Sequence, residues 1–304
     1  MNILETLLIL LLFVMLGIGA YIFWNNLPGE QVQFNSYNIN YVPESSHGGQ
    51  FYPNMRYREK RISYTIEDAC GEKKREDVLK AFELLDEKTV LSFYPSASGE
   101  IRIFCSEIAP EPAERGHFVA GEGGPSQVIN TSLYSVIFSG KVSLYRADSC
   151  DNPQVATHEI LHALGFDHNG NKESIMFPTT GCNQILDQYI IDKINSLYSA
   201  DTLPDLAIEK VDANATGRYL NFEIVVINLG LMDSKDSNLK LYTNSEEIKE
   251  FDLQSIEIGT RKVLTVQNVK IPANAQKVNF IVESSEKELS KENNDAEVQV
   301  LNNN

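Results

Sequence analysis

"THEILHALGFDH", running from Thr157 to His168, holds three of the chain's five histidines, and Glu159 stands beside the first of them. His158 and His162 are four positions apart. In an α-helix they stand one turn above each other, so two imidazole nitrogens can converge on one ion. The flanks predict such a helix: Asp151 or Asn152 can cap it, Pro153 suits its first turn, and Ile160, Leu161 and Leu164 form an apolar side for burial. Gly165 permits the left-handed conformation that ends a helix, and the turn there can bring round His168 as a third ligand. Three neutral imidazoles leave one position of a tetrahedral Zn2+ open to water, which separates catalytic sites from closed structural ones. Glu159, offset by one residue from His158, is expected to flank the ion and move protons as general base and acid.

"HEILHALGFDH" followed by "SIMFP" resembles the metzincin metalloproteases. Met176 matches the methionine of the turn that floors the zinc in that clan. The Met176-Phe177-Pro178 ending and its short distance from His168 are most like the matrixin branch. Pro178 stands where astacin-like relatives carry a zinc-touching tyrosine, so a fifth ligand of that kind is not expected. The resemblance implies an α/β (α+β) zincin-like domain over 56–200, with a mixed sheet and a zinc-binding helix. The residues read accordingly. "RISYTIED", "TVLSFY" and "EIRIFC" are strand-like, "KREDVLKAFELLDEK" is an amphipathic helix with Val78, Leu79, Phe82 and Leu85 on one side, and "NQILDQYIIDKINSLY" repeats Ile185, Tyr189, Ile190, Ile194 and Leu197 at helical spacing. "GHFVAGEGGPSQV" is assigned the edge strand against which such enzymes lay an extended substrate. Matrixins commonly hold a second, structural zinc through further histidines. Only His47 and His117 lie outside the motif here, so that site is not expected. Ca2+, common in the family, has no assigned ligands, because no EF-hand-like spacing is present.

Leu7 to Trp24 runs eighteen residues without a charge, which predicts a transmembrane helix and a signal anchor over 1–27. The alternative is a cleaved leader and a secreted protein. Residues 28–55 are polar and read as a stalk or linker. Cys70, Cys105, Cys150 and Cys182 all fall in the 56–200 domain with no CxxC pair. Beside a membrane segment this suggests disulfides, with three connectivities open and four reduced thiols as the alternative. Cys150 to Cys182 would clamp the metal-binding segment, and Cys70 to Cys105 would tie the first helix to a strand. Oxidised cysteines would place the domain on the extracytoplasmic side.

After Leu203 the pattern changes. Leu220, Phe222, Ile224 and Val226 alternate with their neighbours, and short strand-like runs recur at "NLKLYT", "RKVLTVQNV", "KVNFIVE" and "AEVQV". This predicts an all-β immunoglobulin-like sandwich over 204–301. "PDLAIEKV", "VVINLG" and "SKENNDAEVQV" resemble the CARDB modules of prokaryotic surface proteins, which implies a spacer or a binder of a surface protein or glycan. With 42 acidic against 26 basic residues the formal charge is −16, which speaks against nucleic acid as a partner. Two functions follow. The first is a membrane-anchored zinc endopeptidase acting on protein or peptide substrates. The second is a surface adhesion protein with an inactive protease-like domain. Retention of all three histidines and the glutamate favours the enzyme.

Overall fold

The computed structural model describes residues 3–25, 27–38, 49–111, 118–147 and 149–300. Helix α1 (Ile3–Asn25) contains the apolar stretch Leu7–Trp24, long and apolar enough to cross a membrane, and none of that stretch is buried against the rest of the chain. A short strand follows it, β1 (Gln31–Asn38).

The metal-motif domain is built on a six-stranded sheet. Its strands are β2 (Met55–Tyr57), β3 (Arg61–Ile66), β4 (Ser92–Pro95), β5 (Ile101–Cys105), β6 (Gly121–Asn130) and β7 (Ser135–Leu144). The order is β2-β7-β5-β3-β4, all parallel, with β6 antiparallel along the other side of β7. Helices α2 (Glu72–Lys88), α3 (Gln154–Ala163) and α4 (Gln188–Leu197) share one apolar core with the sheet. Ile62, Ile101, Ile103, Val142 and Leu144 come from strands; Val78, Phe82 and Leu85 from α2; Ile160 and Leu161 from α3; Ile190 and Ile194 from α4. Each such fully buried side chain stabilises the fold by about 2 kcal/mol. The helical periodicity overreached at its margins: Leu79 and Tyr189 are exposed, because spacing defines a face but not how far its neighbours extend to cover it, and Ile185 lies before the α4 N-cap Asp187, where its backbone bridges to Ser174 instead of continuing the helix.

The cysteines pair as Cys70–Cys105 and Cys150–Cys182. The first ties the entry of α2 to the end of β5. The second joins the chain just before α3 to the chain beyond Met176. Loops of this size reduce the entropy of the unfolded chain by the equivalent of about 3 to 4 kcal/mol each in the chain-entropy model.

The C-terminal region is a sandwich of two four-stranded antiparallel sheets. It contains β8 (Leu206–Thr216), β9 (Tyr219–Asn228), β10 (Ser237–Thr243), β11 (Glu246–Gln254), β12 (Thr260–Lys270), β13 (Lys277–Glu283) and β14 (Asp295–Gln299). Leu220, Phe222, Ile224 and Val226 point into its core, as their alternation predicts. One sheet runs β11-β10-β13-β14 and the other β1-β12-β9-β8.

Strand β1 therefore departs from the linker reading of 28–55. Gln31–Asn38 pair antiparallel with Thr260–Gln267, Val32 facing Val266 and Phe34 facing Leu264. Only two apolar residues at period two mark this strand in the sequence, and its partner lies more than two hundred positions away. Local signals do not reach that far. Met55–Tyr57 likewise belong to the metal-motif sheet. The sandwich is thus discontinuous in sequence, with the metal-motif domain inserted between β1 and β8.

The two regions also touch directly. Val136, Leu231 and Ile258 form a small buried cluster of their own, and the Thr131 hydroxyl donates to the Leu229 carbonyl at 3.1 Å. Arg56, buried, donates to the carbonyls of Tyr57, Arg58 and Leu197 and stacks on Tyr198, which ties the start of the inserted domain to its end.

Candidate active site

Helix α3 lies across the sheet beside β6, and every residue from Gln154 to Ala163 is buried. Its N-cap is Pro153 and no side chain caps it, so neither Asp151 nor Asn152 plays the expected part; Asn152 instead accepts the Gln154 N–H through its carbonyl, at 2.8 Å. The helix ends as the glycine predicts. Gly165 has φ +95°, its N–H donates to the His162 carbonyl, and the Phe166 N–H donates to the Leu161 carbonyl. These two bonds make a Schellman motif, with buried Phe166 and Leu161 supplying the apolar contact.

That turn brings the third histidine home. The Nε2 atoms of His158, His162 and His168 lie 3.0 to 3.2 Å from one another. Three nitrogens each about 2.05 Å from one tetrahedral ion would stand roughly 3.3 Å apart. The tautomers are held as well. His158 donates from Nδ1 to the Ile175 carbonyl at 2.6 Å, and His162 donates from Nδ1 to the Phe166 carbonyl at 2.7 Å. With the proton kept on Nδ1, both rings turn an Nε2 lone pair toward the common centre. Converging lone pairs repel unless a cation lies between them, so the three histidines fit a metal ion. Met176, buried, follows Ile175 in this turn, and its carbonyl accepts the Asn169 N–H at 2.9 Å, closing the segment that carries His168.

Glu159 is 6% exposed, and its side chain lies over the backbone of β6. A Cβ on Gly121 would come within 2.6 Å of Glu159 Cγ, and one on Gly123 within 2.1 Å of the Glu159 carbonyl oxygen. The sequence places "GEGG" in an edge strand but gives no sign that its glycines set the distance to α3. Beyond β6 opens a cleft of about 1190 Å³. Phe118 to Gly123 form one wall, the three histidines and Glu159 the floor, and Pro178 to Cys182 the other wall. Among the described residues β6 pairs with β7 alone, so its outer edge is open to the cleft. Glu122, at the rim, accepts a hydrogen bond from the Tyr145 hydroxyl at 2.5 Å. Neither partner is anticipated from the sequence. His47 and His117, excluded as further metal ligands, lie outside the described residues.

Burial sets the charge states. It pushes Glu159 up to about 8, helped by the negative charge of Glu122. It lowers His162 to about 4 and lowers His158 and His168 too. The imidazoles are therefore neutral at pH 7, the form that binds metal. Because their folded pKa values lie below the roughly 6.5 of an unfolded histidine, their contribution is intact above that value and is lost as pH falls toward 4. For His162 the full effect is on the order of 3 kcal/mol. Thermal unfolding of metal-free protein at pH 7, 5.5 and 4.5 should show this loss, and a His162→Gln variant should show a shallower slope. Parallel slopes for the two proteins would contradict the burial argument.

A helix-borne HExxH, a third histidine beyond a glycine turn, and a buried methionine next to the carbonyl that holds His158 form the pattern of a metzincin-type site. Residues 50–174 match the model of the Astacin peptidase family, and residues 203–299 match CARDB. By these matches the chain joins a metzincin-type domain to a CARDB domain. Among curated proteins, stromelysin-2 of Rattus norvegicus is 29% identical over 194 residues, covering 56% of this chain and 38% of the relative. Macrophage metalloelastase of Oryctolagus cuniculus is 28% identical over 157 residues, covering 46% and 32%. The chain thus spans about a third to two fifths of the length of these relatives. Among solved structures, the CARDB domain of the PF1109 protein from Pyrococcus furiosus, in complex with di-metal ions, is 23% identical with a TM-score of 0.28, covering 32% of this chain and 87% of that one.

Proposed function

We propose that this chain is a membrane-anchored, zinc-dependent endopeptidase of matrixin-like type, acting on extracytoplasmic proteins. The observation that carries the reading is the convergence of three Nε2 atoms beside a buried glutamate, at the floor of a cleft bordered by an open strand edge. His158, His162 and His168 would hold the ion. Zinc, when bound there, supplies Lewis acidity toward a carbonyl oxygen and toward water.

The remaining work falls to side chains and backbone. An extended peptide pairs with the outer edge of β6, whose free N–H and C=O groups fix its direction and bring one peptide bond over the histidines. Glu159 accepts a proton from the attacking water and delivers it to the leaving amine. Burial and Glu122 hold the Glu159 carboxyl up in the metal-free site, and the positive charge of an ion on the three histidines would lower it again, keeping the carboxylate ionised to take the proton and close enough to return it. Met176 gives the histidines an apolar floor. Disulfides belong to an oxidising compartment, and α1 would then hold the cleft outside the cytoplasm, N-terminus inward. The CARDB domain would space the cleft from the bilayer or bind a surface component.

The test is metal content and proteolysis of the purified chain. One zinc per chain is expected, with casein cleavage that a chelator abolishes and zinc restores. Refolding in zinc that leaves the protein metal-free would remove the basis of the proposal.

A further inference from the structure

The cleft wall formed by the start of β6 is almost bare. From Ala120 to Gly124 only Glu122 carries a side chain longer than a methyl group, and Ala120 to Gly123 line the cleft together with Glu159 and the histidines. The direction of Glu122 follows from its neighbours. Gly121 and Gly123 stand opposite Leu144 and Val142, both buried, and a Cβ on either glycine would meet Glu159. Side chains alternate along a strand, so Glu122, opposite Ser143, points to the outer face of the sheet. Tyr145, just beyond β7, lies on that face too, and its hydroxyl donates to Glu122 Oε2 at 2.5 Å.

The carboxylate is thereby oriented but not neutralised. Among the described residues Tyr145 is its one hydrogen-bond donor, and no lysine or arginine forms an ion pair with it. The cations on the neighbouring chain are held elsewhere: Lys141 lies over the Phe104 ring at 5.1 Å, and Arg146, the one lysine or arginine that lines the cleft, lies over the Phe118 ring at 3.9 Å. An ionised carboxylate fixed in one orientation by a neutral donor keeps acceptor sites open for a positively charged one.

A peptide added to the open edge of β6 places alternate side chains on the two faces of the sheet, and one on the outer face comes within about 5.5 Å, Cβ to Cβ, of the β6 residue directly opposite. We propose that Glu122 is a specificity-determining residue, which selects a lysine or arginine side chain at the substrate position paired opposite it by accepting a charge-assisted hydrogen bond from that cation. Glu122 has this role only if the peptide follows β6 as in the peptidase reading above. The glycines on either side offer no side chain to the neighbouring substrate residues, so the preference is confined to one position. The formal charge of −16 adds a general attraction for basic peptides, which does not depend on where the cation sits in them.

The test uses the full zinc-loaded chain in detergent with Glu159→Gln, so that bound peptides stay whole, at about 0.15 M salt, where exposed charges more than roughly 8 Å apart are largely screened. A dye-labelled peptide of neutral side chains is compared with versions carrying one lysine or one glutamate at each position in turn. At one position lysine should bind about fivefold more tightly than glutamine, the upper end for an exposed pair, because Tyr145 already orients the carboxylate. Glu122→Gln, which can still accept from the Tyr145 hydroxyl, should remove that preference, and Glu122→Lys should transfer it to glutamate at the same position. Glu83→Gln, which removes an equal charge from the exposed side of α2, should leave it intact. The proposal is overturned if no peptide binds, if lysine gives the same gain at every position, or if the preference survives in folded Glu122→Gln. Cleavage by the chain with Glu159 intact tests the peptidase reading separately: a chain that binds with a Glu122-dependent preference but cleaves nothing keeps the role of Glu122 and loses the peptidase, whereas cleavage indifferent to the position of lysine overturns the role of Glu122 alone.

Discussion

Exchange of Glu159 for glutamine should lower peptidase turnover roughly 10³-fold while leaving one zinc bound per chain. The two halves of that expectation rest on different geometry. Turnover falls because glutamine keeps the shape and a hydrogen-bonding oxygen but cannot accept the proton of water. Metal stays because the proposed ligand set is the three histidines, and Glu159 makes none of the contacts that hold them: Ile175 for His158, Phe166 for His162, and the closed turn for His168. Hydrolysis of a fluorogenic peptide and metal analysis on one preparation separate the two. A variant that kept near-normal turnover would remove Glu159 from the chemistry, and one that lost its zinc would make it a ligand.

The second large effect is expected from a single methyl group. Gly123→Ala puts a Cβ 2.1 Å from the Glu159 carbonyl oxygen, a contact between two backbones in which no flexible side chain can give way. Strand β6 and helix α3 must separate. Overpacking of this kind costs about 3 kcal/mol. The separation widens the gap between the β6 edge, the proposed peptide track, and the three histidines, so kcat/KM should fall along with Tm. Gly124 is the control, since a Cβ there meets nothing within 4 Å, and Gly124→Ala should match wild type in both measurements. Equal Tm values for the two alanine variants would show that the strand and helix are not in limiting contact.

What could be read from the sequence was what chemistry forces into short spacings. Two ligands on one helix face must be four apart, the turn to the third needs a residue tolerant of positive φ, and the methionine turn follows within a few residues. Each has a structural counterpart in the Nε2 cluster, the Schellman motif at Gly165 and the Ile175 carbonyl on His158. The strands of the sandwich core were visible in the same way, through alternation. What stayed hidden depends on distant partners. The pairing of β1 with β12 and the fit of Gly121 and Gly123 against Glu159 each join segments that no local window contains. The exposed Leu79 carries the same lesson in reverse, an apolar position with correct periodicity that its neighbours do not cover.

The insertion of one domain into the other changes what a break in the chain would accomplish. A cut anywhere in 39–48 severs the covalent path from α1 to the histidine-bearing domain, yet β1 stays zipped to β12 along eight residue pairs, with Glu30 also ion-paired to Lys249. With α1 as the proposed anchor, release would therefore take two events, a nick and the peeling of a strand. The molecule is fastened twice at the same end, once by a peptide bond and once by a ladder of hydrogen bonds, and a nicking protease acting there would leave the cleft where it was.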